Sequence, residues 1–150
     1  MKLTHKKVNK TSRVIVFGEP KSGKTELVAR LSEHYKLIYF DLENGFETML
    51  KLPVAWQERI DIVSIPDTKT FPIAIETLLK VVTGNPVDIC DTHGKVSCPL
   101  CKKAGNTFTR VCLNEIRDDT IVVIDSLTQL SNSAMNHITK DQEDTYKPEW

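Results

Sequence analysis

Residues 18–25 read Gly18-Glu19-Pro20-Lys21-Ser22-Gly23-Lys24-Thr25 and follow directly on the apolar run at 14–17. Glycines at this spacing let backbone N–H groups curl around phosphate oxygens, and a helix beginning behind them adds the positive end of its dipole. Lys24 is then placed to reach the β- and γ-phosphates of a nucleoside triphosphate, and the Thr25 hydroxyl to hold Mg²⁺. The full pattern stands between a strand signal and a helix signal, the context it requires, so it points to nucleotide binding. It does not say which reaction follows.

Two acidic positions could supply that reaction. The apolar run at 121–124 leads into Asp125, at the end of a strand where ligands of open α/β sheets collect. There Asp125 would support Mg²⁺ beside Thr25; the bland alternative is an acid capping the next helix. The run at 37–40 ends in Asp41-Leu42-Glu43, followed by the turn signal Asn44-Gly45. Two residues apart on an extended chain, Asp41 and Glu43 point the same way. Glu43 can take a proton from a water attacking a phosphate, with Asp41 in support. A solvated strand end would look the same on spacing alone.

A third cluster is Cys90-x2-His93 with Cys98-x2-Cys101. Two ligand pairs separated by a turn at Gly94 can close a tetrahedral Cys3His site for structural Zn²⁺. Lys102 and Lys103 lie beside it and are expected to favour thiolates. The gap between the pairs is shorter than in most zinc ribbons, so a reduced loop without metal stays open as an alternative. Cys112 is read as a small buried hydrophobe. Lys95, Lys102, Lys103 and Arg110 could form a patch for DNA or a protein partner.

These groups need a scaffold. The 150 residues suffice for one domain with a real core, and 27% charged residues against 40% hydrophobic ones argue against disorder. Net charge is zero, so no global field advertises nucleic acid or membrane. No stretch is apolar enough to span a bilayer or serve as a signal peptide, which places the chain in the cytoplasm and its cysteines in a reducing environment. Runs at 14–17, 37–40, 60–65 and 121–124 read as strands, mostly covered on both faces. Residues 24–35 predict a helix burying Leu27, Val28, Leu31 and Tyr35; residues 70–82 a second burying Ile75, Leu78, Leu79 and Val82. Residues 107–117 predict a third helix, with Phe108, Val111, Cys112 and Ile116 on one side, and residues 126–138 a fourth. The division is a basic tail at 1–12, carrying Lys2, Lys6, Lys7 and Lys10, and a core at 13–150. Within the core lies an irregular, cysteine-rich insertion at 84–106. The class is α/β, a mostly parallel sheet flanked by helices.

The phosphate loop, a strand ending D-x-E and the strand "VIDSLTQL", in that order over residues 13–132, resemble the RecA-like P-loop ATPases. "DLENG" and a cysteine-bearing insertion are similar to the small phage-type AAA-family ATPases of single-strand annealing recombination. The resemblance implies ATP with Mg²⁺, Glu43 as catalytic base and Asp125 as the magnesium-associated acid, with Lys24 completing the catalytic set. Ser126 would be an accompanying hydroxyl. It also implies single-stranded DNA as a partner, recombination or replication proteins beside it, room for a homo-oligomer, and a bacterial or phage-infected host cell. Such sheets run on past this strand to a sensor and a finger residue. Only the polar tail 140–150 follows here, so the core is expected to be C-terminally incomplete. Two other classes share parts of the pattern: a small-molecule kinase with a zinc-bound lid, and a non-catalytic nucleotide-gated module. The kinase reading lacks a role for D-x-E and has only Arg13, Arg30, Arg59, Arg110 and Arg117 to hold a second nucleotide.

Overall fold

The computed structural model describes residues 12–143, with side chains through residue 139. The basic segment carrying Lys2, Lys6, Lys7 and Lys10 and the end of the polar tail, 144–150, lie outside the described residues. The centre is a parallel three-stranded sheet. Strand β1 (Lys36–Asp41) lies between β2 (Ile60–Ser64) and β5 (Thr120–Asp125). The register pairs Asp41 with Ser64 on one side and with Asp125 on the other, so all three strands finish at the same end.

Parallel neighbours need crossover connections, and these cover both faces. On one face Phe40, Leu42, Val63 and Ile65 pack with Ile73, Ala74, Leu78 and Val81 of helix α3 (Ile73–Val81), which lies against α5 (Leu127–Glu143). On the other, Tyr39 packs with Ala29, Met49 and Leu52. Helix α1 (Lys24–Ala29) and a 3-10 turn at Phe46–Lys51 provide that layer, with the short α2 (Val54–Gln57) beside them. The central β1 is nearly continuous in burial, whereas β5, which pairs only with β1 among the described residues, leaves Val122 and Ile124 exposed.

Several expectations are corrected. Residues 14–17 form no regular secondary structure and pair with no strand among the described residues, and Val14, Ile15 and Phe17 are largely exposed. An apolar run becomes a strand only when a neighbouring backbone takes its N–H and C=O groups. The helix after the loop is correspondingly short: beyond Ala29 it tightens into a 3-10 turn, Arg30–Glu33. Leu27, Leu31 and Tyr35 remain exposed because the strand they would cover is not in the sheet. In α3 the inward face is Ile73, Ala74, Thr77, Leu78 and Val81, leaving Leu79 and Val82 outside and Ile75 half-buried. Buried Thr77 is drawn in by a 2.7 Å bond to the Gly94 carbonyl.

The expected third helix is replaced by strand β4 (Phe108–Val111) and a 3-10 turn, Leu113–Glu115. β4 runs antiparallel to β3 (Val87–Cys90), which lies inside the stretch read as irregular. Thr107, Thr109 and Val111 are β-branched and suit a pleated strand better than a helix. Ile89 and Val111 of this hairpin join the main core, so the segment is not held by its cysteines alone. Cys112 is half-buried at the end of β4, its thiol donating to the Gly84 carbonyl at 3.4 Å, not on a helix face.

Candidate functional site

The loop at 18–25 curls into α1. Gly23 has φ +84, which a side chain resists, and Lys21 sits at φ +63. The Ser22 N–H donates to the Glu19 carbonyl at 3.2 Å, closing the first turn. Lys24 folds back over the loop, its Nζ donating to the carbonyls of Gly18 at 3.0 Å and Glu19 at 2.8 Å. Thr25 is directed away from the loop. Its hydroxyl donates to Asp125 Oδ2 at 2.7 Å, a contact between residues 100 positions apart.

Asp125 closes β5 at the sheet end facing this loop. The same Oδ2 accepts the Tyr39 hydroxyl at 2.5 Å. Burial first, then the bond to Asp125 and its charge, push the Tyr39 phenol well above its ordinary range. Tyr39 is the one contributor to this corner that sequence reasoning missed. A tyrosine within an apolar strand signals core, and nothing local announces a partner 86 residues away. The helix cap expected as the alternative role for Asp125 belongs instead to Ser126, whose Oγ accepts the Gln129 N–H at 3.3 Å.

Asp41 and Glu43 do not point together. Asp41 is buried and turns back on its own loop, accepting the N–H groups of Glu43 and Gly45 at 3.1 Å and of Phe46 at 3.2 Å. It builds the turn from which Glu43 projects. Exposed Glu43 accepts a hydrogen bond from the Ser126 hydroxyl at Oε1. The Leu42 N–H donates to the Asp125 carbonyl at 2.8 Å, tying this turn to β5. The structure therefore gathers Lys24, Thr25, Tyr39, Glu43, Asp125 and Ser126 at one end of the sheet. A row of N–H groups, a lysine and oxygen donors there can bind phosphate and a hard cation such as Mg²⁺.

A second cluster stands on the hairpin. Cys90, His93 and Cys101 bring one ligand atom each to within 4.8 Å of one another, with Cys90 buried. His93 Nε2 lies 3.0 Å from Cys101 Sγ, and His93 Nδ1 accepts the Lys95 N–H at 3.1 Å. Cys98 is outside this trio; it is buried and directly precedes helix α4 (Pro99–Lys103). Burial, then the Cys90 and Cys98 thiols, push the Cys101 thiol up to about 11. The Cys98 thiol is lowered, first by the backbone N–H of Cys101, with Lys95 a lesser cause. The effect expected of Lys102 and Lys103 thus falls to Lys95, while the Lys102 ammonium lies 5.7 Å from the centre of the Phe108 ring.

No helix among the described residues is long and apolar enough to cross a membrane. In comparisons with known proteins, a family model described as an AAA domain matches residues 10–148. No curated protein and no solved structure matches the chain.

Proposed function

The chain belongs to the AAA domain family, which carries nucleotide-binding ATPases, and we propose that it binds ATP with Mg²⁺ and hydrolyses it to ADP and phosphate. The observation that carries this reading is the bond from Thr25 in the phosphate loop to Asp125 at the tip of β5. It joins the two parts that phosphate binding and metal support require.

The donor set at that junction is all oxygen, from Thr25 and Asp125, and suits Mg²⁺. Bound there, the ion offsets charge developing on the phosphoryl oxygens. The rest falls to the chain itself. Backbone N–H groups at 22–25 and Lys24 hold the phosphates, the lysine exchanging the Gly18 and Glu19 carbonyls for phosphate oxygens. Ser126 fixes Glu43 through Oε1, leaving Oε2 to take the proton of the attacking water. Tyr39 and Thr25 both donate to Asp125 Oδ2, which fixes the orientation of that carboxylate at the tip of β5. Asp41 sets the turn that carries Glu43.

We extend this reading to a RecA-like arrangement acting on single-stranded DNA in phage-type recombination or replication, in the cytoplasm. Recombination or replication proteins and further copies of the chain would be its protein partners. Lys95, Lys102, Lys103 and Arg110 support the DNA part: all four are exposed on the hairpin module, and Lys102 lies over Phe108. Cations interleaved with an aromatic ring suit a flexible strand of phosphates and stacking bases.

Phosphate release by the full-length protein, with and without single-stranded DNA, tests the proposal. ATP turnover that rises with DNA is the expected result. Binding without turnover under both conditions would favour a nucleotide-gated module, and phosphate passing to AMP would favour a kinase.

A further inference from the structure

The hairpin cluster lies apart from the phosphate loop and takes no part in the chemistry proposed there. We propose that Cys90, His93, Cys98 and Cys101 bind one Zn²⁺, and that the ion holds the Gly94 turn against the end of β2.

Three sulfurs and an imidazole nitrogen are the donors of a closed, tetrahedral structural zinc site. Three already converge to within 4.8 Å. The fourth, Cys98, is buried directly before α4 and three residues from Cys101, and its sulfur must move in to join the converged trio. Cys112 is the internal contrast: engaged with the Gly84 carbonyl, it has no part in the cluster.

The proton inventory is definite. Without metal, His93 Nδ1 accepts the Lys95 N–H, so Nε2 carries the ring hydrogen and donates to Cys101. Coordination through Nε2 moves that hydrogen to Nδ1 and breaks the Lys95 contact. The three thiols release three protons to solvent. No oxidation state changes. The occupied site carries one net negative charge, which neighbouring Lys95 offsets.

The turn enclosed by these ligands is built into the fold. Gly94 is buried at φ +73, and a methyl group on it would lie 2.6 Å from Ile65 Cγ2 and 3.0 Å from Ile65 Cα. Its N–H donates to the Cys90 carbonyl at 2.8 Å, and its carbonyl accepts the buried Thr77 hydroxyl. Ile65 donates its own N–H to the Asp41 carbonyl at 3.0 Å. The zinc loop is therefore one residue removed from the turn that presents Glu43.

Metal analysis of the full-length protein, purified under reducing conditions, should find about one zinc per chain. Cys98→Ser and Cys101→Ser should each lose most of it. His93→Cys, which keeps a soft ligand, and Cys112→Ser should retain it. Should the serine variants fail to fold, chelation of the wild-type protein followed by Co²⁺ gives a second readout: visible absorption of tetrahedral cobalt bound to thiolates. Removing the metal should also speed amide exchange at Ile65, Cys90 and Gly94, while Lys24→Ala leaves zinc content unchanged. A zinc-free wild type with no tetrahedral cobalt spectrum would overturn the assignment. So would a Cys98→Ser protein that binds zinc as tightly as its parent, since the fourth ligand would then be wrong.

Discussion

Replacing Glu43 by Gln keeps the side chain's shape and exchanges one carboxylate oxygen for an amide that cannot take a proton. The structure limits what else can change. Glu43 is exposed and its one side-chain hydrogen bond among the described residues comes from Ser126, which a Gln carbonyl still accepts. Folding stability should therefore move by less than about 0.5 kcal/mol. Nucleotide affinity should stay within about twofold, because among the described residues Glu43 makes no hydrogen bond or ion pair to the phosphate loop and uniform binding is untouched. A positioned general base contributes roughly 10²–10⁴-fold; a loss of about 10³-fold corresponds to about 4 kcal/mol of barrier. Single-turnover phosphate release measures the chemical step, and titration with a fluorescent ATP analogue measures binding. A variant that turns over within about threefold of its parent would refute the assignment, since no base of this kind is worth so little. Loss of binding and turnover together would also refute it, by making Glu43 a ligand contact.

Lys24→Ala removes the charged donor of the loop. At about 1.5–3 kcal/mol for a charge-assisted bond, nucleotide affinity should fall roughly ten- to a hundredfold or more, read by the same titration. Asp41→Ala strips the acceptor from three backbone N–H groups. A cost of about 2 kcal/mol lowers the calorimetric Tm by roughly 4–8 °C, and kcat should fall more than KM rises because Glu43 loses its turn. Tyr39 keeps its proton in the folded chain above the pH at which an unfolded tyrosine, with its ordinary value of 10.0, loses it. Its contribution to stability is thus flat below that pH, and above it stability falls by about 1.4 kcal/mol per pH unit. Tyr39→Phe should remove that slope from denaturation curves taken across the alkaline range.

What could be read from the sequence was the chemistry that is local in the chain. Gly23, Lys24 and Thr25 declare themselves by spacing, and the apolar run before Asp41 is buried on both faces as its continuity demands, whereas the run before Asp125 forms a strand that leaves Val122 and Ile124 exposed. What could not be read depends on partners distant in sequence. Phe108, Val111, Cys112 and Ile116 fit a helical stripe, yet the same segment fits a strand once Val87–Cys90 is available to pair with it. The run at 14–17 carries the composition of a buried strand but meets no pairing backbone among the described residues. Alternation along a strand puts Asp41 and Glu43 on one side and so pairs them. The strand ends at Asp41, so alternation ends there too, and the carboxylate turns to the N–H groups of its own turn. Tyr39 had no local signal at all.

The position of Lys24 has a kinetic consequence. Its ammonium is already occupied by two carbonyls of its own loop, so an arriving triphosphate meets a closed ring rather than an open cup. Those contacts must break before the amine can turn to the ligand. Association should then proceed in two steps, with an observed rate that levels off as ATP concentration rises, the plateau reporting how fast the ring opens.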